Sequence, residues 1–265
     1  MLDFIVQFGF DVLGNFLQII IGSVLSVILY HSIKTGVENI KINLKNDLLI
    51  ISATSCLGLM LPLNTFGVLP VFFCFVFAGL KIYSALPVLF SNMLFNLLIP
   101  FNDPTFILKT GISRLVLAFI IGVTAGIFLR SFKLSGNIVR ISSASEMFDG
   151  NLSVKSTIRN INRNINSWAP IMIGGVLFNN IFDKFIIYNL TSEVFKNENT
   201  SFIPRLFAKF NVVHPGFLLT LCIVYALMNF TNLAAIFAAL KPKGILIYIG
   251  FFAVWALLLG TTIFL

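Results

Sequence analysis

Apolar runs close to the length of a bilayer crossing recur down the whole chain, at about 12–32, 47–62, 69–83, 85–101, 111–131, 168–189, 215–239 and 244–264. A spanning helix needs roughly 20 predominantly apolar residues, so these runs predict an all-α integral membrane protein with about eight transmembrane segments. Composition agrees: 58% of the residues are hydrophobic and 11% charged, against about 25% charged in ordinary soluble domains. The N-terminus carries Asp3 and Asp11 in place of a basic region, and a basic loop follows the first run. That run therefore reads as a retained span and not as a cleaved leader.

Cytoplasmic loops of membrane proteins collect Lys and Arg. With the N-terminus outside, the predicted inner loops hold twelve of the 18 basic residues, Lys34, Lys81, Arg130 and Lys241 among them. This places a multi-pass chain in the cytoplasmic membrane with both termini outside. It also explains the net charge of +8 without nucleic acid: the basic residues are dispersed, and no aromatic-basic recognition motif accompanies them. The lipid bilayer is the implied partner, and a homo-oligomer stays open.

Inside this apolar pattern, the stretch "LPLNTFGVLPV" (residues 61–71) is out of place. Pro62 and Pro70 remove backbone donors, and Gly67 permits non-helical torsions. In lipid every backbone polar group must be satisfied, and broken helices survive where they line a protein-enclosed or watery cavity. The stretch thus predicts a discontinuous helix whose free backbone groups lie beside the Asn64 amide and the Thr65 hydroxyl, as in transporter substrate sites. A plain turn between two short helices would give the same spacing.

A second polar cluster, Asn229, Thr231 and Asn232 in "MNFTNLAAI", interrupts a late apolar run. Asn92 and Asn96 stand at i, i+4 and share one helix face. The candidate substrate-binding set is therefore Pro62, Asn64, Thr65, Gly67, Pro70, Asn92, Asn96, Asn229, Thr231 and Asn232. Hydrogen bonds that only hold helices together would explain the Asn/Thr clusters almost as well. Their recurrence suggests two related halves, 1–132 and 167–265, divided by the basic stretch 133–166. That stretch reads as a cytoplasmic loop with short amphipathic pieces near anionic headgroups. A docking site for a regulatory partner is the other reading, and it carries the alternative function of a non-transporting membrane scaffold or complex subunit.

Enzyme chemistry finds little support. There is no GxSxG, HExxH or Walker A sequence, and no carboxylate pair on one face of a span. His31 and His214 have no partner at metal-ligand spacing, and Cys56, Cys74 and Cys222 show no CxxC pattern. No cofactor or metal is implied. An ionisable group within a span points to an ion path, which makes Asp183 the candidate coupling residue, although its place toward the outer end beside Lys184 reads first as an interfacial Asp–Lys pair.

Residues 61–96 resemble a family of predicted permeases whose best-known members are organoarsenical efflux permeases. The shared pattern is Pro62, Asn64, Thr65, Gly67, Val68 and Pro70, then Gly79, then an apolar helix ending at Asn96 near Pro100. Residues 232–260 resemble that family's last segments. The resemblance implies a secondary permease, most simply an exporter. Metalloid-exporting relatives carry cysteines within the motif, where this chain has Asn64, Thr65 and Phe66. Amide, hydroxyl and carbonyl oxygens suit a small polar solute or a hard cation better than a soft metalloid.

Overall fold

The computed structural model describes residues 2–40, 46–95, 104–131, 138–140, 153–182 and 229–261. These form α1 (Leu2–Ile40), α2 (Asp47–Met60), α3 (Thr65–Phe77), α4 (Ile82–Ala85), α5 (Pro87–Phe95), α6 (Pro104–Ser131), α7 (Val154–Ile181), α8 (Phe230–Ala239) and α9 (Pro242–Thr261). The described chain is all-helical, with one isolated bridge between Val139 and Leu240. Among the described residues two stretches, Phe4–Lys34 and Pro242–Leu259, are long and apolar enough to cross a membrane. Large apolar side chains on α1 and α9 face outward, among them Leu13, Leu17, Leu246 and Leu257.

The sense of each helix follows from its paired residues. Asn15 meets Asn64 and Gly22 lies against Gly67, so α1 and α3 run parallel. Asp11 meets Asn180 and Ser23 meets Asn164, so α7 runs antiparallel to α1. Phe178 and Phe182 pack on the Phe230 ring, and Gly175 lies against Ala234, which makes α8 antiparallel to α7. Hence α3 and α8 point the same way, side by side. A second group, α2, α5 and α6, packs together, and α9 joins it where Tyr248 and Phe252 each meet the Phe90 ring edge-on at 5.4 Å.

Close backbone approach sets the α1–α3 crossing. A Cβ on Gly67 would lie 2.8 Å from the Gln18 carbonyl oxygen, and one on Gly22 would collide with the Gly67 carbonyl. Small residues at such a crossing let two backbones touch. Gly67 is therefore helical and serves packing, and the non-helical torsion expected there is not found. The positive φ belongs to Gly79, at +93°. There it ends α3 as a left-handed cap, with Leu80 N–H donating to the Phe75 carbonyl at 3.0 Å.

Helix α7 corrects the expected loop. Ser153 caps it reciprocally with Ser156, so residues 154–166 are helical and the boundary at 166/167 falls inside α7. Every fourth side chain is buried from Ser156 through Asn160, Asn164, Trp168 and Met172 to Val176, while Val154 and Ile158 face out. Polar side chains turn inward here, and the low hydropathy that suggested a loop is a consequence. Ile138 and Val139 are also buried. Arg140 N–H donates to the Ala239 carbonyl, and Lys241 N–H to that of Ile138. This part of the stretch is docked on the α8–α9 corner and does not lie free on a surface.

Asp47 opens α2 and accepts the Tyr83 hydroxyl at 2.8 Å. Lys81 and Arg130, which charge counting put on one side of the membrane in separate loops, both approach its carboxylate, at 3.6 and 3.4 Å.

Candidate functional site

Helix α2 ends at Met60, and the chain then runs extended from Leu61 to Asn64. At Asn64 it turns into α3: the side-chain oxygen accepts the Gly67 N–H at 2.9 Å, a helix cap of the kind Asn favours. The break is thus 61–64. Pro70 lies in the second turn of α3, fully buried, and not in the break. A proline that early in a helix removes one donor while the cap secures the start.

The carbonyls freed at the end of α2 are satisfied from α5. The Asn92 amide donates to Gly58, Leu61 and Leu63 carbonyl oxygens at 3.1, 3.3 and 3.0 Å. Asn92 is fully buried, and it braces the break from outside the cavity lining.

The late cluster repeats the device. The Asn229 side-chain oxygen accepts the Asn232 N–H at 3.1 Å, starting α8 as Asn64 starts α3. The two starts are joined directly: the Thr65 hydroxyl donates to Asn232 Oδ1 at 2.6 Å. Two parallel helices thereby present their N-termini, each with about half a positive charge, to one space. The helices on which they pack, α1 and α7, run in opposite senses.

That space is a cavity of 520 Å³. Of the expected residues, Pro62, Asn64, Thr65, Asn229, Thr231 and Asn232 line it. Gly67, Pro70 and Asn92 lie outside the lining, and Asn96 and Asp183 fall outside the described residues. The remaining wall is polar in Asp11, Asn15 and Gln18 from α1 and in Asn179 and Asn180 from α7, with Phe10, Met93 and Val176 adding apolar surface. Asn64 Nδ2 donates to Asn15 Oδ1 at 2.7 Å, and Asn15 in turn donates to the Asp11 carbonyl. The Asp11 carboxylate accepts from Gln7 at 3.2 Å and from Asn180 at 2.9 Å. A signal for the α1 wall was present in the sequence, since residues 11, 15 and 18 follow the i, i+4, i+7 spacing of one helix face.

Among the described residues the lining offers amides, hydroxyls and one carboxylate beside apolar surface, with no Lys, Arg, His or Cys. Among the described residues no three His, Cys, Asp or Glu side chains gather in a metal-binding group. Such a wall can bind and orient a small polar molecule, and it holds no nucleophile–base pair. No family model, curated protein or solved structure matches the chain.

Proposed function

We propose that the chain is a multi-pass permease of the cytoplasmic membrane that moves a small polar solute or ion, with export the direction implied by the resemblance of residues 61–96. The observation that carries this reading is the Thr65–Asn232 hydrogen bond, which ties two capped helix starts over a polar cavity. Discontinuous helices meeting at a polar site are the architecture by which secondary transporters bind cargo. The outward apolar faces of α1 and α9 and the inward polar stripe of α7 fit a lipid surround. A volume of 520 Å³ falls within the roughly 300–1,000 Å³ of small-molecule sites. Passage to the opposite face requires the two helix starts to part, and the Thr65–Asn232 bond then breaks and re-forms with each cycle.

Growth of a deletion strain over a panel of metals, metalloids and toxic organic compounds tests the reading. The wild-type gene should restore tolerance to at least one compound, and Thr65→Val and Asn232→Leu proteins, expressed at wild-type level, should not. Full complementation by both variants would remove the site from the mechanism.

A further inference from the structure

We infer that Asp11 is the cation-binding residue of the cavity, holding a single positive charge carried by a monovalent inorganic ion or by the ammonium group of an organic solute. The inference deepens the permease reading and rests on it, since it takes α1 as a membrane span and the cavity as the solute site.

Among the described residues Asp11 is the one charged side chain in the lining, and the contacts its carboxylate makes there are hydrogen bonds and not ion pairs. A carboxylate in a span with no basic partner marks an ion or substrate path. Its two hydrogen-bond donors are neutral amides, Gln7 on Oδ1 and Asn180 on Oδ2. They orient the group without cancelling its charge, and each oxygen keeps acceptor capacity. Asn180 donates both to Asp11 and to the Val176 carbonyl, at 3.0 Å, so what its side chain has left to offer is oxygen. The side chains that touch Asp11 therefore offer acceptors to a cation, whereas the α3 and α8 starts in the same lining favour negative charge.

Gln18 adds an independent observation. Its Oε1 is buried and has no hydrogen-bond partner, while the side chain borders the cavity. The amide oxygens of Asn92 and Asn164 are likewise unmet, but of the three Gln18 alone borders the cavity, where a water or a solute can supply the donor. Gln18 stands seven residues beyond Asp11, roughly 10 Å along the helix, too far for one ion to touch both. An organic solute with its ammonium group at Asp11 and a second donor at Gln18 would meet both, and a bare ion would use Asp11 only. One carboxylate among neutral oxygens suits one positive charge, whereas divalent sites gather several carboxylates.

The test is thermal unfolding of the purified full-length protein in detergent, at constant ionic strength. The titrants are sodium, potassium, ethylammonium and butane-1,4-diammonium chlorides, added to wild type, Asp11→Asn and Gln18→Leu. The expected result is a saturable rise in the wild-type midpoint with at least one cation, abolished in Asp11→Asn, whose amide preserves the side-chain shape. Gln18→Leu should keep a response to an inorganic ion and lose most of a response to the diamine, which separates the two sources. Identical responses of wild type and Asp11→Asn to all four cations would overturn the inference. Solute tolerance in cells that is equal for wild type and Asp11→Asn would likewise overturn it and leave the permease reading standing. An Asp11-dependent shift in a protein that restores tolerance to no compound would sink the permease reading and keep the cation site.

Discussion

Gly22 and Gly67 face each other across the α1–α3 crossing so closely that a methyl group on Gly22 would fall onto the Gly67 carbonyl. The crossing is what holds the α1 wall of the cavity, with Asp11 and Asn15, against the Asn64 cap. Gly22→Ala should therefore destabilise by about 1–3 kcal/mol, the usual range for an overfilled contact. Gly9, with nothing within 4 Å of a built Cβ, is the control. Gly9→Ala should be neutral or stabilising by up to about 1 kcal/mol. Thermal midpoints in detergent compare the two, and an equal loss in both would contradict the crossing.

Thr65 and Asn232 should prove energetically coupled. A double-mutant cycle of Thr65→Val and Asn232→Leu is expected to give an interaction term of about 0.5–1.5 kcal/mol, the net value of one hydrogen bond. Additive losses would mean that the two capped starts do not support one another.

Asn92 separates bracing from binding. Asn92→Leu keeps the size of the side chain while orphaning up to three carbonyls, each worth about 1–3 kcal/mol when buried and unmet. A large fall in thermal midpoint is expected, with cation-induced shifts at Asp11 retained in whatever protein folds. Loss of those shifts at unchanged stability would return Asn92 to the binding wall.

Lys81 and Arg130 should be accessible from the same side of the membrane. In a protein freed of its native cysteines, Lys81→Cys and Arg130→Cys should both label with an impermeant maleimide only after the inner face is exposed. Labelling from opposite sides would break the Asp47 cluster and the proposed topology together. The cluster itself should add little stability: Lys81 and Arg130 are 63% and 48% exposed, and such pairs are worth about 0–1 kcal/mol.

The parts of this architecture legible in the sequence were those written in hydropathy and in breakers. The apolar runs became α1, α2, α3 and α9 within a turn or two of their ends, except that α1 extends well beyond its run at both ends. The Asn–Thr clusters at 64–65 and 229–232 came together as one site. Proline and glycine were less readable. Pro70 looked like a breaker because sequence does not show that Asn64 has already started the helix, and Gly67 looked like a hinge because its reason lies in α1, 45 residues earlier. The first half of α7 was hidden by its own chemistry, since Ser156, Asn160 and Asn164 lower local hydropathy while pointing inward. Asp11 is hidden differently: it precedes the predicted run at 12–32 and reads only as an N-terminal acid, while its place in the cavity comes from Asn180, 169 positions away.

The Thr65–Asn232 bond spans 167 positions, and this has a consequence for biosynthesis. A ribosome adding about 5–20 residues per second needs roughly 10–30 s after Thr65 emerges before Asn232 exists. Throughout that interval the Thr65 hydroxyl has no Asn232 to donate to, and the cavity has no α8 wall. A chain stalled between the end of α7 and residue 232 therefore owns the α1, α3 and α7 sides of a polar cleft without the side that closes it, a surface by which an unfinished copy differs from a finished one.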